Sequence, residues 1–234
     1  MIRPQALIVR GGWDGHDPVT ATERFIPFLA ANGYEIRVEE STAVYADPAT
    51  MAATDLVIQC VTMSEITHDE VMGLRAAVEA GTGLTGWHGG IADSFRASSD
   101  YLQLIGAQFA THPARQPVAM SHDVADINFR TYTIDFTPLG RSHWITEGLE
   151  DFELTTEQYW VLHDDLNDVL ATTTHPAPEW QPWHRPIVSP AIWTRSWGKG
   201  RVVVTTPGHS VEILDDKNIT TVIERGILWA TRTA

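Results

Sequence analysis

The 234-residue chain has a single cysteine, Cys60. One thiol cannot close an internal disulfide. It ends the apolar run "DLVIQC", which reads as a strand, so a buried structural thiol is expected. Cations are also scarce: 16 Lys and Arg stand against 30 Asp and Glu, a formal net charge of −14. No basic cluster exists to neutralise phosphates, so nucleic acid and membranes are not expected partners. No segment approaches the ~18 consecutive apolar residues of a membrane helix. The opening "MIRPQALIVRGG" has one Arg before a short apolar run and no small-residue cleavage site, so a cytoplasmic location is expected. There is no G-x-S-x-G and no H-E-x-x-H, which removes the local signatures of a serine hydrolase and of a helix-borne zinc site.

What is present is a globular composition, 43% apolar, sufficient for one domain spanning residues 1–234. The first half alternates strand and helix. "ALIVRGG" (6–12) reads as a buried strand. A helix follows from Asp17 as cap and Pro18 in the first turn to Gly33, with a kink or early break at Pro27. "YEIRVEE" (34–40) and "DLVIQCV" (55–61) are strands, the second apolar throughout as in a sheet covered on both faces. Thr67 and Glu70 form a capping box for a helix whose Val71, Leu74 and Val78 share one face, with Gly81 at its end. "GLTGW" (83–87) is the next strand, and a helix running to about Ile105 is expected after "HGG". This rhythm predicts an open parallel sheet with helices on both faces, whose ligands bind beyond the carboxyl ends of the strands. The second half is richer in strands: 129–136, 152–162, 167–175, and a hairpin over 186–208 turning at "WGKG". A helix with Ile219, Val222, Ile223 and Ile227 on one side closes the chain.

Three strand ends each offer a histidine. Trp13, Asp14 and His16 follow the first strand, His88 follows "GLTGW", and His209 follows "RVVVTTPG". Each alone is more often a cap or a satisfied core group; the shared position makes a joint site the better reading. In "GWHGG", Gly86, Gly89 and Gly90 permit tight turns and close ligand approach. The following helix would present its N-terminus, lowering the His88 pKa and favouring an oxyanion. The plainer reading is that these glycines only pack helix against sheet. Trp13 and Trp87 flank the histidines as candidate platforms for the apolar faces of a sugar, with core packing the competing role. Trp180 and Trp183 lie in a loop that suits a lid or a subunit interface. Trp193 and Trp229 read as core.

The runs "GLTGWHGG", "THP" (111–113), "TTEQY" (155–159) and "AIWTRSWGKGRVVVTTPGHSVE" resemble the ThuA-like (trehalose-utilisation) family, in order along nearly the whole chain. The resemblance implies a flavodoxin-like, three-layer, mostly parallel sheet of the class I glutamine amidotransferase-like type, with additional antiparallel strands in the second half. It also implies disaccharide catabolism alongside sugar dehydrogenases that make 3-keto-glycosides. Carried over residue by residue, it points to His16, His88, His112, Glu157 and His209. Related amidotransferases place a cysteine where His88 stands, so thiol-dependent glutamine hydrolysis is excluded.

The resulting expectations are a catalytic set of His88, His209 and Glu157, and a sugar-binding set of Trp13, Asp14, His16, Trp87, Gly89, Gly90 and His112. The leading function is proton transfer on a glycoside or its 3-keto derivative, leading to isomerisation, epimerisation or elimination. A second reading makes His16, His88 and His209, with Glu157, the ligands of a divalent metal such as Zn²⁺ in a hydrolase. A third is a sugar-binding sensor or accessory subunit of a dehydrogenase system. A homo-oligomer is the expected assembly.

Overall fold

A computed structural model describes residues 3–112, 128–179 and 181–232. Pro113 of the "THP" run and Trp180 lie outside the described residues. β1 (Gln5–Gly12) leads through a 3-10 turn at Asp14–His16 into α1 (Pro18–Glu23) and α2 (Ile26–Ala31). Then come β2 (Glu35–Glu39), α3 (Pro48–Ala53), β3 (Leu56–Thr62), α4 (His68–Ala80), β4 (Gly83–Trp87), α5 (Gly89–Ala92), α6 (Ser99–Ile105) and β5 (Ala107–Thr111). The second half runs through β6 (Phe129–Phe136), α7 (Pro138–Ser142), β7 (Phe152–Glu157), β8 (Trp160–His163), β9 (Asp168–His175), β10 (Ile187–Trp197) and β11 (Gly200–Thr205), and closes with α8 (Val211–Leu214) and α9 (Lys217–Ala230).

Among the described residues the main sheet has the order β2-β1-β3-β4-β11-β10-β9-β6-β7, with β5 and β8 forming a separate antiparallel ribbon. From β2 to β11 every pairing is parallel; from β11 outward every pairing is antiparallel. This is the mixed α/β architecture expected, helices covering both faces. Alternate residues of the central strands feed two cores. Ile8, Leu56, Ile58 and Cys60 join one face with Ile219, Val222, Ile223 and Ile227 of α9. Leu7, Val9, Val57 and Val61 join the other with Val71, Leu74 and Val78 of α4. All seven residues of β3 are buried, because both faces are covered. The capping box of Thr67 and Glu70 opens α4. No helix among the described residues is long and apolar enough to cross a membrane.

One expected break is present, and two elements expected to be continuous are divided. The helix from Asp17 to Gly33 is two helices. Pro27 lies in the first turn of α2, where its missing N–H costs nothing. The helix expected from the elbow to Ile105 is interrupted: α5 has only four residues, and Ser98 caps a new start at α6 by accepting from the Tyr101 N–H. The Ser94 hydroxyl donates to the Gly90 carbonyl and the Ser98 hydroxyl accepts from the Tyr101 N–H, local bonds of the kind that favour caps over continuation. The strand expected over 152–162 divides at Gln158, and β8 leaves the main sheet to pair with β5.

Burial pushes the Cys60 thiol up to about 12, so the nucleophilic thiolate is scarce at physiological pH. Iodoacetamide at pH near 8 should leave the folded protein unlabelled and modify one thiol per chain in urea; stoichiometric labelling of the folded protein would show that Cys60 is accessible.

Candidate active site

The parallel register of β4 and β11 sets Trp87 beside Thr205. The residues that follow, His88 and Thr206, therefore leave the sheet together. The His88 N–H donates to the Thr205 carbonyl (2.7 Å), and its Nδ1–H donates to the Thr206 carbonyl (2.8 Å). A carbonyl only accepts, so the neutral ring keeps its proton on Nδ1 and turns the Nε2 lone pair inward. His88 achieves this at φ 49°, ψ −139°, a backbone conformation costing on the order of 1–3 kcal/mol for a non-glycine residue. β1 and β3 run in register to Gly12 and Thr62, and Thr62 Oγ1 lies 3.1 Å from His16 Nδ1. The His16 ring meets those of His88 and His209 edge to face, at 4.6 and 5.1 Å.

Glu157 arrives from the far antiparallel edge of the sheet, at the end of β7. Its Oε2 lies 3.1 Å from both His88 Nε2 and His209 Nδ1, and 3.6 Å from His112 Nε2. Asn128 Nδ2 donates to its other oxygen (3.3 Å), and the Tyr132 hydroxyl donates to its backbone carbonyl (3.0 Å). The Tyr159 hydroxyl donates to His88 Nε2 (2.9 Å), with the two rings stacked at 4.2 Å. The backbone beyond Glu157 is anchored as well: Gln158 Nε2 donates to Thr173 and Thr174, and His175 Nε2 donates to the Tyr159 carbonyl.

Burial, then the neighbouring His88 and His209 charges, lowers the His16 pKa to about 3. Burial likewise lowers that of His88. For Glu157, burial opposes ionisation, but the contacts of His209 and His88 outweigh it and hold the carboxyl below its usual range. Burial, then the Glu157 charge, raises the Tyr159 hydroxyl well above its normal value. At neutral pH an ionised carboxylate thus lies beside the neutral His16 and His88 rings, with a phenol that donates. Such a set can relay a proton or ligate a metal ion.

A cavity of about 350 Å³ opens onto this cluster. His16, Glu157, Tyr159 and His112 reach its wall, with Trp13, Phe109, Asn128 and the Asp93–Arg96 pair around them. Trp13 is half exposed at the rim, edge-on to His16.

The structure thus brings together His16, His88, His112, Glu157 and His209, and seats Trp13 beside them. The other expected residues take core, packing or exposed positions. Trp87 is a core residue against Phe25 (4.8 Å). Asp14 is exposed in the 3-10 turn, where its carbonyl accepts from the Asp17 N–H. Gly89 and Gly90 are buried packing positions: a Cβ on Gly89 would come within 2.6 Å of the His16 ring, and one on Gly90 within 2.8 Å of the Cys60 backbone. The four-residue α5 is also too short to supply the expected helix dipole. Trp183 packs on Trp160 and donates to the Pro176 carbonyl. The sequence reading missed Tyr159, Asn128, Thr62 and the Thr206 carbonyl. Tyr159 alone had a local signal, lying two residues beyond Glu157.

An α/β sheet whose histidines gather beyond the carboxyl ends of its parallel strands, one of them on a strained strand-to-helix elbow, defines the class of protein. The chain belongs to the ThuA family: the family's sequence model, described as trehalose utilisation, matches residues 5–230. Its fold is similar to that of a ThuA-like protein from Bacteroides uniformis (TM-score 0.72, 16% identity, 98% of this chain and 93% of that one). A ThuA-like protein from Parabacteroides merdae is similar to the same degree (TM-score 0.72, 13% identity, 100% and 92%). The chain also resembles in fold a part of a cold-adapted β-galactosidase from Rahnella sp. R3 (TM-score 0.56, 13% identity, 98% of this chain and 31% of that one). No functionally curated protein matches it.

Gly89→Ala tests the packing assignment. The added methyl meets His16 and Thr62, so a stability loss of about 1–3 kcal/mol is expected in urea unfolding. A variant as stable as the parent would show that the space beside His16 is open.

Proposed function

We propose that the protein is a cytoplasmic enzyme of carbohydrate catabolism that acts on a glycoside in its 3-keto form by proton transfer at the carbon beside the ketone. One observation carries this reading: a carboxylate and several imidazoles converge at a cavity of about 350 Å³ rimmed by Trp13 and Phe109. Membership of a family described by trehalose utilisation supports a sugar as substrate. The half-exposed Trp13 offers an indole face for stacking. The Asp93–Arg96 pair and Asn128 offer hydrogen bonds to hydroxyls.

A ketone at C3 acidifies the C2–H bond. The base takes that proton, the C–H electron pair forms the C2–C3 double bond, and the carbonyl oxygen becomes an enolate. Return of the proton to the opposite face of C2 gives the epimer. Return of the electron pair toward C1 forms the C1–C2 double bond and expels the glycosidic oxygen, which takes the proton back from the protonated base. The burial of His88, at 1% exposure, favours a holding role for it behind Glu157. The base assigned by this reading is His112, which lines the cavity and donates its Nδ1–H to the Gln158 carbonyl (3.3 Å). That bond leaves Nε2 as the ring's acceptor at the cavity, and the Glu157 charge 3.6 Å away stabilises the imidazolium formed on proton uptake. A sugar dehydrogenase reaction upstream would supply the ketone.

The test is NMR of a 3-keto-glycoside with enzyme in D₂O. The C2 proton signal should vanish, with isomerised or cleaved product following. His112→Ala should slow the exchange by about 10²-fold or more. Trp13→Ala should raise KM several-fold with little change in kcat. An unchanged spectrum with no exchange would sink the proposal, and calorimetric binding without turnover would favour the accessory-subunit reading.

A further inference from the structure

The atoms at the centre of the cluster are spaced as metal ligands are. His88 Nε2, Glu157 Oε2 and His209 Nδ1 form a triangle with sides of 3.1, 3.1 and 3.3 Å. In a tetrahedral shell with bonds of about 2.0–2.1 Å, donor atoms stand about 3.3 Å apart. One ligand atom from each of His16, His88, Glu157 and His209 lies within 4.8 Å of all the others. The donor types suit a first-row transition ion better than Mg²⁺ or Ca²⁺, which prefer oxygen throughout.

The surroundings of these side chains support the same reading. The His88 Nδ1–H donates to the Thr206 carbonyl, a bond that fixes both tautomer and ring and leaves Nε2 as the inward donor. Thr62 Oγ1 contacts His16 Nδ1, and Asn128 holds the second oxygen of Glu157. Partners of this kind are characteristic of protein metal centres. His88 takes its place in the cluster at a positive φ of 49°.

We infer that His16, His88, Glu157 and His209 hold one divalent transition-metal ion, zinc in the first instance, and that a sugar oxygen completes its shell from the cavity. His16 and Glu157 belong both to this set and to the cavity wall, so an ion at the cluster has a side facing the substrate. The ion's place follows from the four side chains alone; the sugar oxygen rests on the function proposed above. An ion held there would supply positive charge for an enolate oxygen of the bound sugar.

The experiment uses the untagged full chain, stripped with chelator and titrated with Zn²⁺ by calorimetry and with Co²⁺ by visible absorption. One equivalent of each should bind, with the intense cobalt bands of a low-coordinate nitrogen and oxygen site. His209→Gln and His16→Asn lie at the less buried edge of the cluster. Each should weaken binding at least tenfold while circular dichroism shows the fold retained; His112→Asn should bind as the parent does. No binding, or undiminished binding in both ligand variants, overturns the metal centre. Adding a 3-keto-glycoside should shift the cobalt bands; bands unchanged at saturating sugar overturn the direct oxygen contact. Metal binding without deuterium exchange keeps the metal centre and removes the proposed reaction. Exchange by metal-free protein with no metal uptake does the reverse.

Discussion

Glu157 is 7% exposed, and among the described residues its carboxylate pairs only with histidines. Burying a carboxylate costs on the order of several kcal/mol; the described groups around this one are His88, His209, His112 and Asn128, and the Asn128 amide donates to it. Each comes from a different segment of the chain: His88 from the elbow after β4, His209 from the loop after β11, His112 from the end of β5 and Asn128 from the start of β6. The charge therefore joins the parallel half of the sheet to its antiparallel extension. The Tyr132 hydroxyl and the Gln158 amide hold the neighbouring backbone in place, so the carboxylate cannot move outward to water without breaking bonds in β6 and β9.

The sheet supplies the positions from which these groups converge. Parallel pairing of β1 with β3, and of β4 with β11, sends His16, Thr62, His88 and Thr206 out of the same edge. The strain at His88 is sustained because its backbone is bonded on both sides, to Thr205 before the elbow and to Ala92 after it. Gly89 allows the turn to pass against the His16 ring. The elbow thus keeps the geometry that presents a nucleophile in related folds, while its side chain is sealed beneath Glu157 and Tyr159. A group placed there is suited to holding other groups at the cavity wall.

Much of the first half was legible because its signals are local. The apolar run of β3, the capping box of α4 and the helical stripe of α9 depend on side-chain type and period alone. Where local signals compete, the outcome was not legible. The stretch after Gly90 has enough apolar residues to continue a helix, but α5 ends at Ala92 and Ser98 caps a new start. The stretch 152–162 reads as one extended segment, and only the availability of β5 as a partner explains why β8 leaves the sheet. Trp87 shows the same limit at the level of one residue: alternation along β4 puts it on a face, but the packing of α1 and α2 decides that this face is core.

The sequence by itself determined an α/β sheet, its parallel core, and the presence of histidines just beyond three strand ends, because strand, cap and turn preferences act over a few residues. The tertiary structure decided which of those histidines meet, and around what. Glu157 is 69 residues from His88 in the chain, and no periodicity connects them. Their contact depends on an antiparallel extension that brings β7 and the ribbon of β5 and β8 back to the parallel edge. Through-space electrostatics at such separations follow from the fold, so the role of each ionisable group became readable only once the sheet had placed it.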